Sequence, residues 1–135
     1  MNDFQLYLKE RGITEEDLIE WMAIMDKNHL MEIISDKYYK KKSKIHNIGL
    51  FALDKLNKGD YIGFALFENK RTTLGRYTNH SGKPNIKFVK SQTNIIGITT
   101  KVIKKNEELL VDYRHPHLEY AIKFANELQK RKQNL

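Results

Sequence analysis

An α+β fold, mainly β through its middle and helical at either end, is predicted by three features of the 135-residue sequence. Apolar residues recur at helical spacing near the amino terminus and again after Pro116. Short apolar runs bounded by Gly, Asn and Lys turns fill the span between them. The 40% hydrophobic content suffices for one modest core and not for two. The expected division is a helical segment over 1–36, a β core over 37–113 and a closing helix over 114–135.

Phe4 and Leu8 lie one turn apart in the first helix, which Gly12 ends in a left-handed conformation. Thr14 and Asp17 open a second helix in the manner of a capping box, the threonine oxygen taking an orphan amide and the acid sitting in the positive first turn. Leu18, Met22 and Met25, with Ile19, Trp21 and Ile24 beside them, form a stripe that reads as packing rather than a ligand box. The helical pattern runs to Ser35. Strands are expected at 38–45, 49–53, 61–67, 86–89 and 94–99, with a turn at Lys58-Gly59-Asp60. The run Lys40, Lys41, Lys42 and Lys44 reads first as a solvated strand face that protects an edge, and only second as a nucleic-acid contact. After Pro116, which suits a first helical turn, Leu118, Ile122, Ala125 and Leu128 mark the last helix, and the lysines at 130 and 132 suit its negative pole.

Composition excludes several chemistries. The sequence has no cysteine, so disulfides, thiolate zinc sites and cysteine nucleophiles are ruled out. A formal charge of +7 attracts polyanions but names no partner, and five arginines among many lysines, asparagines and isoleucines fit the drift of an AT-rich genome equally well. An apolar leader and a bilayer-length stretch are both missing, so a soluble intracellular protein without a membrane partner is expected. No phosphate-loop, dinucleotide or HExxH pattern occurs. His115 and His117 have no third ligand nearby, so no metal is predicted.

Three segments stand out. They are Ile45-His46-Asn47-Ile48-Gly49-Leu50-Phe51-Ala52, then Gly75-Arg76-Tyr77-Thr78-Asn79-His80-Ser81-Gly82-Lys83-Pro84-Asn85, and finally Glu107-Glu108-Leu109-Leu110-Val111-Asp112-Tyr113. The middle one has the composition of a binding loop, although on its own it reads more readily as a turn whose Asn79, Ser81 and Asn85 satisfy local backbone.

Taken together and in order, the three segments resemble the SET family of protein lysine methyltransferases, a resemblance that spans roughly 45–113. It implies a mainly-β SET fold of small sheets with a knot-like crossing, flanked here by the terminal helices. It further implies S-adenosylmethionine as cofactor, a protein lysine as substrate, and Tyr113 as the catalytic tyrosine. In that family a loop like Asn47-Ile48-Gly49, continued by Leu50, lies against the methionine end of the cofactor. Asn79 and the backbone at His80 match the segment that contacts its amino-acid end and adenine. Arg76 either orients the cofactor or its carboxylate, or forms an ion pair with Asp112 or a glutamate; both readings stay open. Glu108 and Asp112 are expected to be structural.

The departures from the family pattern bear on the lysine channel, for which Tyr61, Ala65, Tyr77, Val111 and Tyr120 are the candidates. Asn47 stands where the family has a loop glycine, a substitution that asparagine's tolerance of positive φ allows. Gly82 replaces a common cysteine. Ala65 stands where a tyrosine is frequent and Val111 where an aromatic is, so the channel is expected to be wider, with the number of methyl groups transferred left open. Without flanking zinc-binding segments, the helix from Pro116, with Tyr120 and Phe124, is the expected closure. Substrate recognition falls to the amino-terminal helices or to a second subunit in a homodimer. The compact form and base-composition drift suggest a viral or bacterial source. Two other readings remain: a SET-like binding module without turnover, and a basic nucleic-acid-binding protein on an unrelated fold.

Overall fold

The structure, a computed structural model, describes residues 2–17, 19–20 and 30–114. The expected closing helix lies outside these residues, as do Tyr120, Phe124, His115, His117 and most of the second helix's apolar stripe.

Helix α1 (Asp3–Glu10) begins with a reciprocal capping box in which the Asn2 side chain accepts from the Gln5 amide and the Gln5 side chain accepts from the Asn2 amide. It ends at Arg11, and Gly12 follows at φ 67, as expected. Phe4, Tyr7 and Leu8 form its buried face and make a small cluster with Ile13. The Asp17 amide then donates to Thr14 Oγ1 at 3.1 Å, the predicted cap.

The helical reading up to Ser35 is corrected at its end. Leu30–Met31 is a strand, β1, parallel to β5 (Lys70–Thr72), with Leu30 opposite Arg71 and Met31 opposite Thr72. The Ile33 amide donates to Thr73 Oγ1 at 2.8 Å, so pairing with a sheet edge overrides local apolar spacing.

Strand β2 (Tyr38–Lys42) pairs antiparallel with β3 (Ile48–Ala52). The first is shorter than expected because the Ser43 amide donates to the Asn47 carbonyl at 2.7 Å and Asn47, at φ 40, turns the chain back. Strands β4 (Tyr61–Phe67), β7 (Ile86–Ser91) and β8 (Asn94–Thr99) fall where the apolar runs predict them, the second two residues longer. With β1 and β5 they form a five-stranded sheet in the order β1-β5-β4-β8-β7. Its inward residues Ile62, Ala65, Ile86, Phe88 and Ile95 pack with Leu50, Leu74, Ile103 and Leu109 into the main core.

Helix α2 (Thr73–Tyr77), capped by Thr72, and the two-residue strands β6 (Asn79–His80) and β9 (Leu110–Val111) escape the apolar pattern. The last two pair in parallel, Asn79 opposite Leu110 and His80 opposite Val111, and bring the second and third motif segments side by side. No helix among the described residues is long and apolar enough to cross a membrane.

Candidate active site

The seam between β6 and β9 is held by hydrogen bonds of the backbone and of buried polar side chains. Backbone bonds run from the Ser81 amide to the Val111 carbonyl and from the Asn85 amide to the Leu110 carbonyl, each 3.0 Å. The Asn85 side chain donates to the Glu108 carbonyl and accepts from the Leu110 amide, both at 2.8 Å, and so stands in for a further rung of the pair.

Glu108 ties the first segment to this seam. Ser43 Oγ donates to its carboxylate at 2.9 Å, and Asn79 Nδ2 donates to Oε2 at 3.0 Å and to the His46 carbonyl at 3.1 Å. A Cβ at position 49 would collide with this carboxylate and displace it from its bonds to Ser43 and Asn79, so glycine there lets the carboxylate approach. Gly75 is required more strictly, because a Cβ there would strike the main-chain carbonyl of Ala65.

Tyr113 is fixed at both ends. Its amide donates to His80 Nδ1 at 2.9 Å and its hydroxyl donates to the Thr78 carbonyl at 2.6 Å. Thr78 is itself held by α2, its hydroxyl donating to the Leu74 carbonyl at 2.6 Å. Burial raises the Tyr113 phenol far above its ordinary range, opposed by the nearby Arg76 charge, so the ring stays neutral. His80 is fully enclosed, and burial lowers its basicity, with Asp112, 3.6 Å from Nδ1, opposing. A neutral ring whose Nδ1 accepts must carry its proton on Nε2, which has no hydrogen-bond partner among the described residues.

These segments surround an open cleft of about 510 Å³, a volume usual for a small-molecule site. It is lined by Phe4, Lys42, His46, Asn47, Ile48, Arg76, Tyr77, Asn79 and Tyr113. Of the sequence-predicted residues, the fold thus brings Asn47, Ile48, Arg76, Tyr77, Asn79 and Tyr113 together. The Arg76 guanidinium lies over the Tyr77 ring at 4.7 Å. Gly49, Leu50 and His80 are buried, outside the set of lining residues.

Three channel candidates stand elsewhere. Tyr61 is half exposed on β4 against Phe64, Val111 is buried in the core, and Ala65 is enclosed beneath Gly75. Ala65 is fully buried, and its carbonyl is approached closely by Gly75 of α2. Tyr120 lies outside the described residues. Phe4, Lys42 and His46 line the cleft without having been singled out for it, because a helix-face aromatic and a strand lysine carry the same sequence signal as packing and solvation.

A family model described as the SET domain matches residues 13–114. A solved structure of a candidate histone methyltransferase from Plasmodium falciparum is 25% identical, with a TM-score of 0.48, over 61% of this chain and 96% of that one. Polycomb Repressive Complex 2 of Chaetomium thermophilum is 20% identical, with a TM-score of 0.50, over 67% of this chain and 18% of that one, a likeness of fold alone. No curated protein matches the sequence.

Proposed function

The chain belongs to the SET-domain family, and on that footing we propose that it is a protein-lysine N-methyltransferase using S-adenosylmethionine, with Tyr113 at the reaction centre. The observation that carries this reading is the convergence of Asn47, Ile48, Arg76 and Asn79 with the Tyr113 ring on a single cleft.

The cleft's lining fits the cofactor. Among the described residues it contains two cations, Lys42 and Arg76, and no carboxylate, which suits the α-carboxylate of a bound amino acid. Phe4, His46, Tyr77 and Tyr113 supply flat apolar surface for the remainder. Asn47, Ile48 and Asn79 would hold the amino-acid end, with the backbone at His80 behind them. When bound, S-adenosylmethionine supplies a methyl group on a sulfonium, open to in-line displacement by an amine.

The protein's own part is alignment and control of protons. The Tyr113 hydroxyl commits its proton to the Thr78 carbonyl, so its oxygen is left as an acceptor for an N–H of the incoming lysine. Kept neutral by burial, it orients the amine and does not act as a strong base. A lysine brought to the Tyr113 ring in this cleft loses part of its hydration and meets the like charges of Lys42 and Arg76, both of which disfavour its ammonium form and make the nucleophilic amine easier to reach. The substrate is a protein carrying a target lysine.

Incubation of the protein with isotope-labelled S-adenosylmethionine and a cell lysate, followed by peptide mass spectrometry, tests the proposal. Label on lysine side chains is the expected result; an absence of labelled lysine contradicts it.

A further inference from the structure

Helix α1 lies outside the stretch matched by the family model, which begins at residue 13, yet it touches all three motif segments. To the first segment, Asn2 Nδ2 donates to the Ile45 carbonyl at 3.1 Å, and the Phe4 ring stacks on His46 with centroids 4.4 Å apart. To the second, Asp3 Oδ2 accepts from the Gly82 amide at 2.7 Å, and Tyr7 packs against the His80 ring at 5.3 Å. To the third, Phe4 and Tyr7 each present an edge-to-face contact to Tyr113, at 6.5 and 5.4 Å. Phe4 also lines the cleft.

From these contacts we infer that α1 is a clasp of the cofactor site, with Phe4 as a wall of the cleft and Phe4 and Tyr7 as positioning residues for Tyr113. The inference rests on the S-adenosylmethionine reading above and extends it to an element beyond the family's matched region. An eight-residue helix is marginal by itself in water, so α1 holds its shape chiefly through this docking. A ligand that fills the cleft against Phe4 therefore stabilises the docked helix, and a docked helix tightens the ligand: the two equilibria are linked and reciprocal. The bond donated by Asn2 to the Ile45 carbonyl and the bond accepted by Asp3 from the Gly82 amide tie α1 to the loops of the first and second segments, so undocking α1 would release both loops at once.

The test is calorimetric titration with S-adenosylhomocysteine, the demethylated product form of the cofactor, together with amide hydrogen exchange over residues 3–10. Phe4→Ala is expected to weaken binding at least tenfold and Phe4→Leu by less, whereas Leu6→Ala, on the exposed side of the same helix, stays within twofold. Saturating ligand is expected to slow exchange in α1 of the wild type. Thermal melts check folding, and should Phe4→Ala unfold, Phe4→Leu carries the comparison at threefold or more. Wild-type binding that both Phe4 variants preserve, or α1 exchange unaltered by ligand, overturns this inference alone. Failure of the wild type to bind overturns the cofactor reading and the clasp with it.

Discussion

The five-stranded sheet and the β6–β9 seam hold together by different means. Facing residues of the sheet are apolar: Phe88, Ile86, Ile95 and Ile62 fill one core, and its polar backbone is satisfied by long antiparallel ladders. The seam has only a two-residue ladder and depends on side chains, with Asn79, Asn85, Glu108 and His80 each committed to particular partners. Apolar packing is non-directional and tolerates exchange of similar volumes, whereas a buried amide with a missing partner does not. The scaffold therefore supplies bulk stability and the seam supplies geometry, which is what a site that must align two reactants requires.

The largest expected effect lies in the sheet. Phe88→Ala removes a fully enclosed ring and should cost about 3–5 kcal/mol in chemical denaturation, while Phe88→Leu costs much less. A small penalty for the alanine variant would show that the sheet is not the principal store of stability.

Asn85→Leu sharpens the contrast, since it nearly keeps the volume but strands the Leu110 amide and the Glu108 carbonyl. It should cost about 2 kcal/mol or more, despite being apolar in a buried setting. Denaturation matching the wild type would mean that solvent reaches the seam and that its hydrogen bonds are not needed for order.

The smallest effect is one of pH. The unfolded chain takes up a proton on each histidine near pH 6.5, while burial keeps His80 and His46 neutral to lower pH in the fold. Between those two values the unfolded state binds more protons, so stability is full above about pH 6.5 and declines on acidification through that window. Protonation at His80 Nδ1 would also displace the Tyr113 amide. NMR titration of the imidazoles and thermal melts from pH 7.5 to 5 check this; a His80 that titrates in the ordinary range would contradict it.

The elements most legible in the sequence are those with enough residues to show a period. The β4 and β8 bounds follow from their apolar runs, and Gly12 and Thr14 mark helix ends through local backbone chemistry. Two-residue strands such as β1, β6 and β9 have no period to read, and their pairing depends on partners roughly 30 to 40 residues away. The site is legible in part for the same reason. Asn47, Asn79, Arg76 and Tyr113 sit in segments whose order resembles a family, whereas Phe4 reaches the cleft only because α1 docks across them. Ala65 illustrates the converse, for its position in the motif suggests a channel, whereas its full burial and the close approach of Gly75 to its carbonyl depend on the packing of α2.

The central claim is that the Tyr113 hydroxyl, anchored on the Thr78 carbonyl, orients an amine in front of a bound methyl donor. Single-turnover methyl transfer by the Tyr113→Phe variant, measured beside its affinity for S-adenosylmethionine, separates that role from binding. The expected result is a rate lowered by about 100-fold or more with affinity within twofold of wild type; transfer at the wild-type rate would contradict the account.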